Sequence, residues 1–291
     1  MKAVLKYAGY ALYAFFVAVV LLYMHFPSEA FQSYLSRTGA KMDPPVIFKT
    51  GSLDPSFPPG LQFVNPVFSL KKRPEAAFFE ARQLSVRPGI VSLLWGNVTW
   101  FVDARAYGGT LHGHILPGVG GKLDDFTLSL QNVRIHEYPF LPRFGGDLAG
   151  NLNSNINYKG PPDRIANGEG AGDILISKGK IDLASPFLGL KSIPFGALKA
   201  RFALKKGNLN FTSVSLDGKG FQGSLTGTIR LNRILERSQL NLRGTIEPIA
   251  DYLETLKGGP ALLNLFKGGR TGMKRSFVIQ GTFRSPKFRF I

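Results

Sequence analysis

The chain contains no cysteine. That excludes disulfide staples, thiolate nucleophiles, thiolate zinc sites and iron–sulfur clusters, so an exported body would be held by its own core alone. At 291 residues it is long enough to bury one. Acidic side chains are also few, 19 against 36 lysines and arginines, which leaves a formal net charge of +17. No Gly-x-Ser-x-Gly elbow occurs. The glycine clusters near 108, 120 and 168–172 do not sit between a strand and a helix, as a phosphate loop requires. Helical periodicity is scarce after the first apolar stretch, so a helical bundle is excluded as well.

One long apolar run is present. Tyr7 to Phe26 carries no charged side chain, and at about 1.5 Å per residue a helix of that length spans roughly 30 Å, the thickness of a bilayer's hydrocarbon. Lys2 and Lys6 precede it, whereas the first charge after it is Glu29, followed by Arg37 and Lys41. The positive-inside tendency puts the short tail in the cytoplasm and the body outside it. Tyr7, Tyr10, Tyr13 and Tyr23 suit the headgroup level. The rival reading is a cleaved signal peptide, with Ser28 and Ala30 as the small residues before the cut. Either reading exports the body. Nucleic acid is then not the expected partner of the basic charge; either that charge meets anionic headgroups, an acidic envelope polymer or an acidic protein face, or it is a solvated surface that keeps the protein soluble.

Beyond the run, alternation with period two recurs. Trp100, Val102 and Ala104 interleave with Phe101, Asp103 and Arg105; Phe126, Leu128 and Leu130 with Thr127 and Ser129; Leu152 and Ile156 with Asn151, Asn153, Asn155 and Asn157. The same holds for Phe221, Leu225 and Ile229, for Leu240 and Leu242, and for Phe277 and Ile279. One wet and one dry face is the mark of antiparallel sheets. Turn signals at Gly160-Pro161-Pro162, Lys206-Gly207-Asn208 and Asp217-Gly218 separate the runs, so a long meander is expected. Short helices are expected at Ala30–Arg37, Ile90–Trp95, Ile249–Leu256 and Ala261–Phe266, the last two covering an end of the sheet. The prolines at 44–45 and 55–59 read as a stiff linker. The segments 223–229, 240–246 and 277–283 form a weak repeat, which favours a stack of similar units over a globule.

Gly150, Gly223, Gly227, Gly244 and Gly281 all fall in phase with the apolar residues of their runs. Glycine within a strand marks a bend or a close approach by something else. Either the sheet curls there, or its dry face leaves a trough for an apolar ligand such as an acyl chain. The lining of such a trough would be Gly150, Leu152, Gly223, Leu225, Gly227, Leu242, Gly244, Ile279 and Gly281. His112 and His114 share a face and could bind a metal with His136 or Asp103, but no carboxylate motif of suitable spacing accompanies them. Asp124-Asp125 reads as turn chemistry. The sequence therefore argues for no catalytic residue, no metal and no cofactor.

The amino-terminal run, the strand-rich body, the segment Ser92-Leu93-Leu94-Trp95-Gly96 followed by Gly108-Gly109 and Gly113, and the ending Ile279-Gln280-Gly281-Thr282-Phe283 with Pro286 form a familiar arrangement. It resembles the type II secretion system protein N family, in the form found in deltaproteobacteria and their relatives, and shares short motifs with AsmA-like envelope proteins. The resemblance implies a single-pass inner-membrane protein with a periplasmic body, a non-enzymatic accessory subunit of the apparatus that exports folded proteins and a partner of its other envelope subunits. The AsmA-like side implies a second role, carriage of phospholipid along a hydrophobic β-groove. The expected organisation is a tail and anchor over 1–30, a helical exit and proline-rich linker over 31–60, and a mainly β domain over 61–291, built as an elongated, curled antiparallel sheet, groove or sandwich, with a few short helices.

Overall fold

The computed structural model describes residues 6–291, except 8, 11–12, 15–16, 18–19, 22, 42–44, 91, 93–97, 119–122, 139–145, 162–163, 188–189 and 250–273. The helices expected at Ile249–Leu256 and Ala261–Phe266 lie outside the described residues but for Ile249, as does most of Ile90–Trp95. No helix among the described residues is long and apolar enough to cross a membrane. The span expected over Tyr7–Phe26 falls partly outside those residues. The chain is mainly β and divides into two compact units, Met1–Arg87 and Pro88–Ile291.

In the first unit the described residues from Lys6 to Met24 are all helical, and after a break at residues 25–27 a separate helix, Ser28–Ala40, runs longer at both ends than the expected Ala30–Arg37. Six strands follow: β1 (Val46–Lys49), β2 (Ser52–Ser56), β3 (Gly60–Val64), β4 (Val67–Leu70), β5 (Arg73–Glu80) and β6 (Gln83–Pro88). β1, β4 and β5 pair in the order β1-β4-β5, and β3 pairs with both β2 and β6. Strands thus begin inside the stretch that its prolines marked as linker. Pro55 sits in β2, the last strand of its sheet, where a missing N–H breaks no ladder on the open side. Leu53, Phe63, Ala77 and Leu84 form the buried centre, and the Phe48 ring meets Phe63 edge-on at 5.6 Å. The Ser28 hydroxyl donates to the Leu53 carbonyl at 2.7 Å and ties the helix to β2.

The second unit is one large antiparallel sheet in strict chain order: β7 (Trp100–Ala106), β8 (Gly109–Pro117), β9 (Leu123–Arg134), β10 (Gly146–Lys159), β11 (Glu169–Phe187), β12 (Leu190–Lys205), β13 (Asn208–Asp217), β14 (Phe221–Arg230), β15 (Gln239–Pro248), β16 (Arg275–Thr282) and β17 (Ser285–Phe290). Two hairpins turn on a residue pair with both φ positive, Tyr107-Gly108 and Lys206-Gly207, the geometry that matches the twist of the strands they join. Asp124 and Asp125 belong to β9 itself and not to a turn before it.

Register shifts mark where an extra residue enters a strand. β9 gains one between Val133 and Leu130, where Asn132 has φ +54° and its N–H is held by the Asn153 side chain at 3.0 Å. β11 gains one at Lys178, with φ +50°. β13 gains one between Phe211 and Val214, seen from both neighbouring strands. Each such bulge bends its strand and strengthens the local twist.

Gly227 in β14 has φ +135°, and a Cβ there would strike the Asn241 carbonyl of β15. Replacing it by alanine therefore combines backbone strain with a backbone clash and should cost about 1–3 kcal/mol. Gly113 has neither problem, its nearest Cβ contact being Val102 at 3.5 Å, so Gly113→Ala should leave stability unchanged or raise it by up to about 1 kcal/mol. Urea midpoints of the two variants test the contrast.

Candidate functional site: an apolar sheet face

Cross-strand register determines which side chains share a face. Starting from Val102 in β7, successive partners are Gly113, Leu128, Ile156, Gly172 and Phe202, then Phe211, Gly227, Leu242, Ile279 and Phe288. This row crosses all eleven strands of the second unit without one polar side chain. A parallel row from Trp100 to Pro286 passes through Ile115, Phe126, Tyr158, Gly170 and Leu204 and is equally unbroken, its one hydroxyl belonging to Tyr158. That hydroxyl donates to the Pro161 carbonyl at 2.9 Å. A third row, from Ala104 to Phe290, contains a single polar residue, Ser154, 2% exposed, and its hydroxyl donates to the Asp173 carbonyl at 2.7 Å.

At about 4.8 Å per strand the rows extend roughly 48 Å along the sheet. Large contacts of each strand are with its sheet neighbours or with the one-turn helices Ile135–Glu137 and Ile165–Asn167; among the described residues no second layer of strands packs on this face. Two apolar clusters form on it. Ile135, Ile176 and Phe195 gather Leu148, Leu152, Ile181 and Leu198 around them; Ile229, Leu240 and Leu242 gather Phe211, Leu225 and Ile279.

Eight of the nine expected lining residues lie on this face. Gly227, Leu242 and Ile279 are consecutive partners in the middle row, Leu225 and Gly244 are partners in the third, and Gly281 lies opposite Leu240. Gly223 and Leu152 occupy the row beyond, linked through Ile176, Leu198 and Leu216. Gly150 stands apart, with φ +145° at the register shift between β10 and β11.

The glycines divide by what lies over them. A Cβ on Gly244 would meet Phe277 Cζ at 2.6 Å, and one on Gly172 would meet Phe202 Cζ at 2.7 Å; the Phe195 ring lies over Gly179 in the same manner. These are seats for rings from the next strand, which fill the space the missing side chains leave. No ring lies over Gly113 or Gly223, whose nearest side-chain neighbours are Val102 and Leu216. Sequence reasoning missed Gly172 and Gly179 with their rings Phe202 and Phe195, and the seating of Phe277 on Gly244, because a glycine and its covering ring are far apart in the chain and only the register joins them.

The opposite face carries the polar side chains, although Val278 of β16, between Arg243 and Arg289, is buried there. Ser129 donates to the Asn155 side-chain oxygen at 2.9 Å, the Ser224 and Thr245 hydroxyls bond at 2.9 Å, and Lys205 approaches Glu169 at 3.7 Å. His112 Nδ1 lies 2.8 Å from Asp103 Oδ1, both side chains partly exposed, while His114 stacks on Phe101 at 5.3 Å. Among the described residues no three histidine, aspartate or glutamate side chains gather as a metal site. A cavity of about 460 Å³ opens along β13–β15; Leu216 and Gly223 of the row beyond reach its wall, but Asp217, Gln222, Glu247 and Lys274 stand there too, so its lining is mostly polar. Burial pushes the Tyr138 phenol above its ordinary value; it sits in the connection after β9, edge-on to Tyr107.

The Phe277 ring covers Gly244 and packs on Phe288 at 5.1 Å. Phe277→Ala should destabilise the fold by about 3 kcal/mol, whereas Phe277→Leu should cost less than about 1.5. Denaturant titration compares them. No protein-family model, curated protein or solved structure matches this chain.

Proposed function

We propose that this is a non-enzymatic envelope protein, held at the inner membrane by its first apolar run with the body in the periplasm, whose second unit binds phospholipid acyl chains along the apolar face of β7–β17. The observation that carries the reading is the rows themselves. Each runs the full breadth of the sheet, and the only polar side chains in the three are the bonded Tyr158 and Ser154. A core made only for stability needs no such continuity across eleven strands, since the clusters around Phe195 and Leu242 would serve. Bulges at Asn132, Lys178 and Thr212–Ser213 bend the sheet, so we read it as a curled, AsmA-like groove. An acyl chain reaches roughly 15 Å, half the hydrocarbon thickness of a bilayer, and a groove roughly 48 Å long would take more than one lipid.

A photo-reactive phenylalanine analogue replacing Leu225 or Phe211 on the apolar face, in cells grown with labelled phosphate, should yield a phospholipid adduct on the full chain. The same analogue replacing Ser224 or Asn210 on the wet face should not. Equal labelling of both faces, or none, overturns the reading.

The resemblance of Ser92–Gly96 and Ile279–Pro286 to the secretion family favours a compatible second reading, in which the protein is a structural subunit of the type II secretion apparatus. Deleting it should then strand folded exoproteins in the periplasm, measured by cell fractionation; undiminished export removes that reading.

A further inference from the structure

The strands of the second unit end alternately at two rims, and the rim that holds the turns after β10, β12, β14 and β16 has a distinctive make-up. The turn after β10 carries Lys159 and Arg164 with Ile165 exposed by 58%. The β12–β13 turn presents Lys205 and Lys206. β14 ends at Arg230, and Arg233 and Arg237 follow; between these two, beside Glu236, Ile234 and Leu235 stand 49% and 65% exposed. Arg284 follows in the turn after β16, and Trp100, at the start of β7, lies at the same rim, 38% exposed. Two of these turns contain a one-turn helix, Ile165–Asn167 and Leu235–Arg237, which lifts the aliphatic side chain outward beside an arginine.

Large aliphatic tips in water beside cations, at turns some four strand spacings or roughly 19 Å apart, suit a deformable surface better than a rigid one. A protein partner needs a contiguous apolar patch at the centre of its contact. A bilayer accepts separate tips, each entering the headgroup layer while neighbouring lysines and arginines meet phosphates. We propose that this rim docks on an anionic lipid surface, with Ile165, Ile234 and Leu235 inserted and the flanking arginines and lysines paired to lipid phosphates. The docking does not require the sheet face to hold acyl chains, and either property can fail without the other.

The test uses the full chain carried in phosphatidylcholine nanodiscs and, as probe, added vesicles rich in phosphatidylglycerol. The chain should co-sediment with those vesicles and not with pure phosphatidylcholine ones. At about a fivefold loss for each basic residue removed near the surface, Arg233→Gln with Arg237→Gln should weaken binding roughly 25-fold, while Lys219→Gln in the β13–β14 turn of the opposite rim should leave it unchanged. Because the chain has no cysteine of its own, Ile165→Cys carrying a polarity-sensitive dye gives a second readout that needs no loss of binding. Its emission should shift to the blue with the acidic vesicles, and that of Lys219→Cys should not. Equal binding by the two glutamine variants, a response as strong to phosphatidylcholine, or binding to polyglutamate without binding to vesicles would overturn the proposal, the last by assigning the rim to an acidic protein.

Discussion

The second unit depends on the coincidence of two periods: side chains alternate every residue along a strand, and register carries that alternation from strand to strand. A slip of one residue in any hairpin would turn every later strand's apolar side chains to water. The Tyr107-Gly108 and Lys206-Gly207 turns fix their hairpins by geometry, and the burial of the clusters around Phe195 and Leu242 penalises any alternative phase.

The bulges are part of the same constraint. In β13 the apolar positions Phe211 and Val214 are three residues apart, not two, and simple alternation would send one of them to the wrong face. The additional residue between them is absorbed identically against β12 and β14, so both stay in phase with Gly227 and Leu225. Asn132 does the same for β9, where a left-handed backbone is cheapest for asparagine among residues with a side chain and where the Asn153 side chain satisfies the displaced N–H. Irregularity at these points preserves the order of the whole.

This explains how far the sequence could be read. Regular strands such as β14 and β15, with Leu225, Ile229, Leu240 and Leu242 at even spacing, declare themselves and their dry face. β11 and β13 break step at Lys178 and Thr212–Ser213, and β11 is rich in glycine besides, so period two fades there although pairing continues. The strands at 46–56 were masked by prolines that an outermost strand tolerates. Glycines in phase with apolar residues were visible one by one, but the phenylalanines seated over Gly172, Gly179 and Gly244 were not, because seat and ring come from different strands. The basic turns were legible as charge; their gathering at one rim with Ile165 and Leu235 requires knowing which strand ends face the same way.

The strict chain order of β7–β17 has a further consequence. Each strand answers only to the one before and the one after, so the described sheet has no fixed circumference to close and, among the described residues, no second layer of strands to match. Two strands and a turn inserted in phase would lengthen the sheet by roughly 10 Å and leave every other pairing intact. Its reach is thus set by how many hairpins evolution has counted out, and it can be retuned to a wider or narrower gap by duplication or loss of whole hairpins, without renegotiating a core.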